Sequence, residues 1–357
     1  MIFLEILTNY ILPIIYTSFV SLVLVLFFLS IFRIKDSNIR ILFFFLPLIK
    51  PFIVIAEKID VNELALVYNK TFSGGIRFPD PMNFLPIYYK YEIINFSKLN
   101  NLILLIASIS IATILIIRWI NLTLFYRSLA YEEKVGIKEV PEIHSVIDKY
   151  TKKIKIKAPD ISLTHRRYFT PFIVGIKKCT LVLSPTLMER LNNSETETLI
   201  QHELSHIKRN DNLIGWVALI LRDLNFFNPF AYISYYLIKI EQETASDKLM
   251  VKYSQKSSKQ VAKNILNSIL KLNEIQNNTN NTVSKNPIPN YSSSFQLRKN
   301  INHKRIQNRV RNILKLNPAR IHSQIFPKIL MYGLFLFLLL IQVVFIVNFN
   351  NILIFLR

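Results

Sequence analysis

A chain of 357 residues could hold two or three soluble domains, but 51% hydrophobic residues, a mean hydropathy of +0.30 and 26 phenylalanines exclude that reading and place much of the chain in lipid. The formal net charge of +21 does not argue for direct nucleic-acid binding, because the cations lie between apolar segments rather than interleaved with aromatics along one helix. They are read as topology and as contact with the bilayer surface.

The N-terminus carries neither a basic leader region nor a small-residue cleavage site, so its apolar run is expected to be retained as a span. Tyr10 to Phe32 is long enough to cross a hydrocarbon core of roughly 30 Å as a helix. Ile41 to Ala56 is shorter and carries Lys50 between Pro47 and Pro51. It is read as a second crossing, with a buried or re-entrant helix as the alternative, since a lone lysine near a helix end can snorkel or face other helices. Leu102 to Ile120 forms a third span, with Arg118 near its end, and Ile329 to Val347 a fourth. The expected organisation is three spans over 1–125 with an extracytoplasmic loop at 57–99, a working domain over 126–255, a flexible linker and basic juxtamembrane helix over 256–325, and the fourth span over 326–357.

The stretch between the third and fourth spans carries 33 of the 44 Lys and Arg residues. The short first connection, Arg33-Ile-Lys-Asp-Ser-Asn-Ile-Arg40, and the basic stretch before the fourth span both put this domain on the cytoplasmic side of the cell membrane. Within it, Ile154 to Leu163 and Phe172 to Leu183 alternate β-branched and polar residues between Pro159, Gly175 and Pro185, and read as short strands. Residues 255–300, dense in Asn, Ser and Lys, read as a flexible linker. Asn302 to Lys315 reads as a basic helix resting on anionic headgroups.

The chemistry concentrates in His202-Glu-Leu-Ser-His206. The single cysteine, Cys179, excludes an intrachain disulfide and a cysteine-rich metal site, so any metal must be held by histidine and carboxylate. A helix starting at Ser194, with Glu197 completing a capping box, puts His202 and His206 on one face about 6 Å apart along the axis, within reach of one Zn²⁺. Glu203, turned about 100° from His202, is the candidate general base for an attacking water. A catalytic zinc needs a third protein ligand. Glu243 is the best candidate, because Asp247 shares its helix face four residues on and can orient a ligand histidine; Glu241 competes but has no such partner. His144, His165, His303 and His322 have no paired partner and read as structural or solvated.

Leu213 to Ile240 is apolar enough to be mistaken for a fifth span. A single crossing would put His206 and Glu243 on opposite faces of the bilayer, and 28 residues are too few to cross twice. Two helices of about 14 residues, broken at Asn225 to Pro229, are expected as a hairpin over 213–240, buried in the domain or dipping shallowly into lipid. Arg222 and Asp223 mark its polar edge.

Five pieces in order carry a resemblance: Pro171-Phe-Ile-Val-Gly-Ile176, Leu181-Val-Leu-Ser-Pro185, His202 to Asp211, Phe227-Asn-Pro229, and Glu243 with Asp247. Over residues 140–255 the chain resembles the peptidase family of the BlaR and MecR antibiotic-sensing membrane proteins, family M56, and more distantly the HtpX and CAAX-prenyl membrane metallopeptidases. The fold class this implies is an α-helical multi-span membrane protein with an inserted α+β zincin-like (gluzincin) metallopeptidase domain. The implied site has His202, His206 and Glu243 as zinc ligands, Glu203 as base, Asp247 behind a ligand, and Asp211 orienting the active-site helix. Phe172 to Gly175 would be a strand on which an extended peptide pairs. Ser246 stands where the family often has cysteine, a change expected to matter little for the metal. The sensors carry a penicillin-binding domain after the fourth span and this sequence ends there, so direct β-lactam sensing is not expected. The expected substrate is a cytoplasmic or membrane-proximal protein, a transcriptional repressor or the chain itself. A quality-control protease and a zinc-binding scaffold are the alternatives.

Overall fold

The computed structural model describes residues 11–57, 98–130, 132–136, 139–164, 170–278, 303–316 and 329–340. Residues 58–97 of the loop expected at 57–99, and the centre of the expected linker at 279–302, lie outside them. Helix α1, Leu12–Ile31, is apolar all round and carries Pro13 in its first turn, where a missing N–H costs nothing. Its buried stripe is Ile14, Ser18, Ser21, Leu22, Val25 and Leu29, in which the small serines let neighbours approach closely. Helix α2, Ser37–Glu57, runs on through both Pro47 and Pro51, with Phe43, Phe44 and Leu48 fully buried between α1 and the hairpin described below. Helix α3, Lys98–Ala130, is longer than expected at 33 residues. Among the described residues, α1 and the Ser108–Ser128 part of α3 are long and apolar enough to cross a membrane.

The domain beyond α3 is α+β. Strand β1, Glu133–Lys134, leads to helix α4, Pro141–Ile154, and to strands β2, Asp160–Leu163, β3, Phe172–Val174, and β4, Thr180–Leu183. The sheet order is β1-β2-β4-β3, with only β2 and β4 parallel, so β3 is an edge. One of the expected strand boundaries is corrected. Ile154 ends a helix rather than opening a strand, because Ile143, Ile147, Tyr150 and Ile154 recur at helical spacing and Lys155 stops it in the left-handed region at φ 56°. Phe172 to Leu183 holds two short strands joined as a hairpin. It turns at Gly175, whose φ of 96° suits glycine, and where a Cβ would meet the Lys178 carbonyl oxygen at 2.0 Å.

After the short helix α5, Pro185–Met188, come helices α6, Asn193–Lys208, α7, Asp211–Leu224, and α8, Pro229–Tyr253. The break between α7 and α8 falls where expected, but the second arm is 25 residues long and carries Glu243 and Asp247, since no Gly or Pro follows Pro229 until its end. Asn228 caps α8 by accepting from the Phe230 N–H, while its Nδ2 donates to Ser18 Oγ at 2.8 Å. The Asn225 Nδ2 donates to the Leu48 carbonyl, so the hairpin tip is fastened to both α1 and α2. On α3, Trp119 donates to Asp223 at 3.1 Å and Arg118 pairs with the same carboxylate, which Arg222 also holds at 2.6 Å.

Helix α9, Ser258–Asn278, occupies the first part of the stretch expected as flexible linker. Val261, Ile265, Ile269, Leu272 and Ile275 are buried on one face, and that face closes a core with Leu187, Leu199 and Met250. Burial of these side chains, at about 1.5–3 kcal/mol each, overrides the polar composition. Helix α10, His303–Leu314, packs on α9, and helix α11, Ile329–Leu340, is the described part of the fourth apolar run.

Candidate metal centre

Helix α6 begins two residues earlier than the sequence suggests. Asn192, not Ser194, is its N-cap, and the reciprocal bonds run between Asn192 and Glu195. Its last turn ends at Arg209, and Asn210 adopts φ 54°, turning the chain sharply so that Asp211 on α7 comes back to His206. The sharp reversal and the long second arm of the hairpin bring α8 against α6.

There the ligand atoms of His202, His206 and Glu243 all lie within 4.8 Å of one another. The two Nε2 atoms face each other at 3.3 Å, and Glu243 Oε2 is 3.6 Å from His202 Nε2. Each imidazole is anchored from behind: Asp247 Oδ1 is 3.0 Å from His202 Nδ1, and Asp211 Oδ2 is 2.8 Å from His206 Nδ1. With each Nδ1 turned to an aspartate, both Nε2 atoms face the space they share with Glu243. His202 and Glu203 are fully buried, and among the described residues Glu203 Oε1 and Glu243 Oε2 have no hydrogen-bond partner. A set of two imidazoles and one carboxylate, with a buried oxygen lacking a partner, fits a zinc ion. Glu241, the competing ligand, faces away and takes Arg40 of α2 at 2.5 Å.

The electrostatics follow from burial and pairing. Burial raises the Glu203 carboxyl above the usual carboxylate range, and the neighbouring histidines only partly offset it. Burial and the Arg309 charge push His202 down, but the neighbouring Asp247 and Glu243 carboxylates outweigh both and hold it up at about 9. Asp247 and Asp211 are also buried, yet Arg309 and His202 in the first case, and His206 and Arg209 in the second, keep both below their ordinary values.

Two contacts were not foreseen. Ser246 Oγ lies 3.0 Å from His206 Nδ1 and donates to Asp211 Oδ2 at 3.1 Å, so this side chain touches a histidine of the site. Arg309, from α10, forks onto Asp247 with its Nε and Nη2 at 2.8 and 2.7 Å. The charge run around Arg309 hides it, but its position three residues after Ile306 and four before Ile313 puts it on the helix's apolar face. Of the other histidines, His144 lies within α4 rather than in a strand or loop, and His165 and His322 fall outside the described residues. The Asn212 side chain donates to the Ile173 and Gly175 carbonyls on the free side of β3.

A model of the BlaR1 peptidase M56 family matches residues 88–291. The methicillin resistance mecR1 protein of Staphylococcus aureus is 27% identical over 136 residues, 37% of this chain and 23% of that protein, and its namesake in Staphylococcus epidermidis gives the same values. A protease HtpX homolog of Pyrococcus abyssi is 33% identical over 89 residues, 24% of this chain and 31% of that protein. The matched stretch thus spans less than a third of each of these relatives.

Proposed function

This chain belongs to the BlaR1 peptidase family M56, and on that footing we propose that it is a membrane-bound zinc endopeptidase that cuts a cytoplasmic or membrane-proximal protein. The observation that carries the reading is the convergence of His202, His206 and Glu243, each imidazole backed by an aspartate, beside the buried Glu203. In this reading His202, His206 and Glu243 hold zinc, which when bound polarises the scissile carbonyl. Glu203 takes the proton of the attacking water and returns it to the leaving amine. Asp247 and Asp211 fix the tautomer and aim of the two imidazoles. Edge strand β3 is where an extended substrate aligns, in exchange for the contacts that Asn212 makes there.

Sidedness takes its support from the first connection. Arg209 donates to Asn38, and Lys248 donates to the Lys35 carbonyl and to Ser37. The site therefore stands beside the basic loop between α1 and α2, and short basic loops favour the cytoplasmic face.

Regulatory proteolysis, of a transcriptional repressor or of the chain itself, is favoured by the methicillin-resistance relatives. The similarity to HtpX homologs supports membrane-protein quality control as the second reading. A non-catalytic zinc scaffold has no use for Glu203 beside the ligands. The test is to compare wild type with Glu203→Gln in membranes, following zinc content together with cleavage of the chain, of a co-expressed repressor and of a misfolded membrane protein. Retained zinc with cleavage reduced about 10²–10⁴-fold is expected. Equal cleavage by both sinks the mechanism, and which substrate is cut separates the two enzyme readings.

A further inference from the structure

Helix α10 reaches the metal centre from well downstream of the other donors. Its apolar face, Ile306, Val310 and the buried Ile313, joins the core formed by α9 with Leu187, Leu199 and Met250, and Ser258 at the start of α9 donates to the Leu316 carbonyl beyond its end. Docking that face aims the Arg309 guanidinium inward, leaving its side chain only 15% exposed. The guanidinium donates through Nε to one oxygen of Asp247 and through Nη2 to the other, a planar fork on a planar carboxylate. Oδ1, which accepts from Nη2, is the oxygen that stands 3.0 Å from His202 Nδ1. Nη1 is also 3.7 Å from Glu243 Oε2, and Nη2 is 3.2 Å from His202 Nε2.

We propose that Arg309 is a positioning residue of the metal centre: it holds Asp247, and through Asp247 the imidazole of His202, so that the centre is complete only while α10 is docked. The inference rests on the zinc-site reading above. A carboxylate held by one histidine alone can swing about that bond, whereas a fork on both oxygens fixes its plane and so the direction in which His202 presents Nε2. Lysine, a point charge on a flexible stem, can supply the charge but not the fork. The competing role, a cation that keeps zinc out, predicts the opposite response to removing it.

The test measures zinc affinity by chelator competition on the full chain in detergent, for wild type, Arg309→Gln, Arg309→Lys, Asp247→Asn and the double variant Arg309→Gln/Asp247→Asn, each with its thermal midpoint. Arg309→Gln is expected to weaken zinc about 10–100-fold, with Arg309→Lys recovering part of the loss. The double variant should bind no more weakly than Asp247→Asn alone, since both changes remove the same restraint. If Arg309→Gln does not fold, Arg309→Lys carries the test, and its binding must still fall below wild type. Zinc bound by the arginine variants as tightly as by wild type, or more tightly, overturns the proposal, as do losses that add in the double variant. A wild type that binds no zinc in the same assay defeats the metal-site reading itself.

Discussion

Asp211 and His206 are five residues apart in sequence but sit on different helices, and their Oδ2 and Nδ1 meet at 2.8 Å because Asn210 reverses the chain between them. Asp211 also takes Arg209 and Ser246. Asp211→Asn should therefore lower zinc affinity about 10–100-fold while leaving the protein folded. Ser246→Ala, which removes one neutral hydroxyl from the same group, should have a smaller effect. Chelator competition on both variants reads the order, and a larger loss for Ser246→Ala would contradict it.

Glu243 and Glu241 part company in the structure, one at the histidines and the other on Arg40. Glu243→Gln should abolish stoichiometric zinc binding. Glu241→Gln should keep zinc and instead loosen α8 from α2, which a lower thermal midpoint in detergent would register. Metal analysis of the two purified variants decides the matter.

Glu195 is buried and accepts from the Asn192 N–H, from Asn267 and, at 2.6 Å, from Lys271. Burial alone would raise its carboxyl, but these donors prevail and hold it below the ordinary value. A carboxylate lowered on folding contributes stability that is fully present above its unfolded value of about 4.3 and is lost as pH falls through the folded one. Acidification below about pH 4 should thus destabilise wild type more steeply than Glu195→Gln, which at neutral pH should already have lost about 1–3 kcal/mol. Parallel acid-unfolding curves would refute the assignment.

Leu272 is fully buried on α9, in the stretch whose composition suggests a flexible linker. Leu272→Ala should cost about 2–5 kcal/mol, as deletions from a packed core do. A thermal midpoint unchanged in that variant would return the segment to the status of a linker.

Gly175→Ala would force a side chain into a backbone at φ 96° and against the Lys178 carbonyl. The turn between β3 and β4 must shift, at a cost of more than about 1 kcal/mol. Because Asn212 grips the Gly175 carbonyl, peptide cleavage should fall along with the thermal midpoint.

The parts of the site that obey a short-range rule were legible in the sequence. The i, i+4 spacing of His202 and His206 brings two imidazoles together, the same spacing sets Asp247 behind the Glu243 turn, and Asn225 to Pro229 breaks the apolar stretch between them. What escaped depended on partners distant in the chain. Asn192 and Ser194 both satisfy the capping pattern, and the choice follows Glu195, which is engaged by Lys271 some 76 residues away. Helix α9 reads as linker by composition because its polar residues have work elsewhere: Asn264 donates to Ser194 and Thr198 on α6. Its apolar residues at positions 261, 265, 269, 272 and 275 keep helical spacing, a signal that the Asn and Lys content masked.

The bond from Asn228 to Ser18 fixes a length. Ser18 lies thirteen residues from Ile31, the end of α1 that leads into the basic loop, which is about 20 Å along a helix. The fourteen residues of α7 span a similar distance from that tip back to Asp211. In the proposed reading, with α1 across a bilayer, the hairpin beside it acts as a depth gauge that would set the histidines at one height. On the proposed activity, reach from the membrane would then select the substrate as much as side-chain fit.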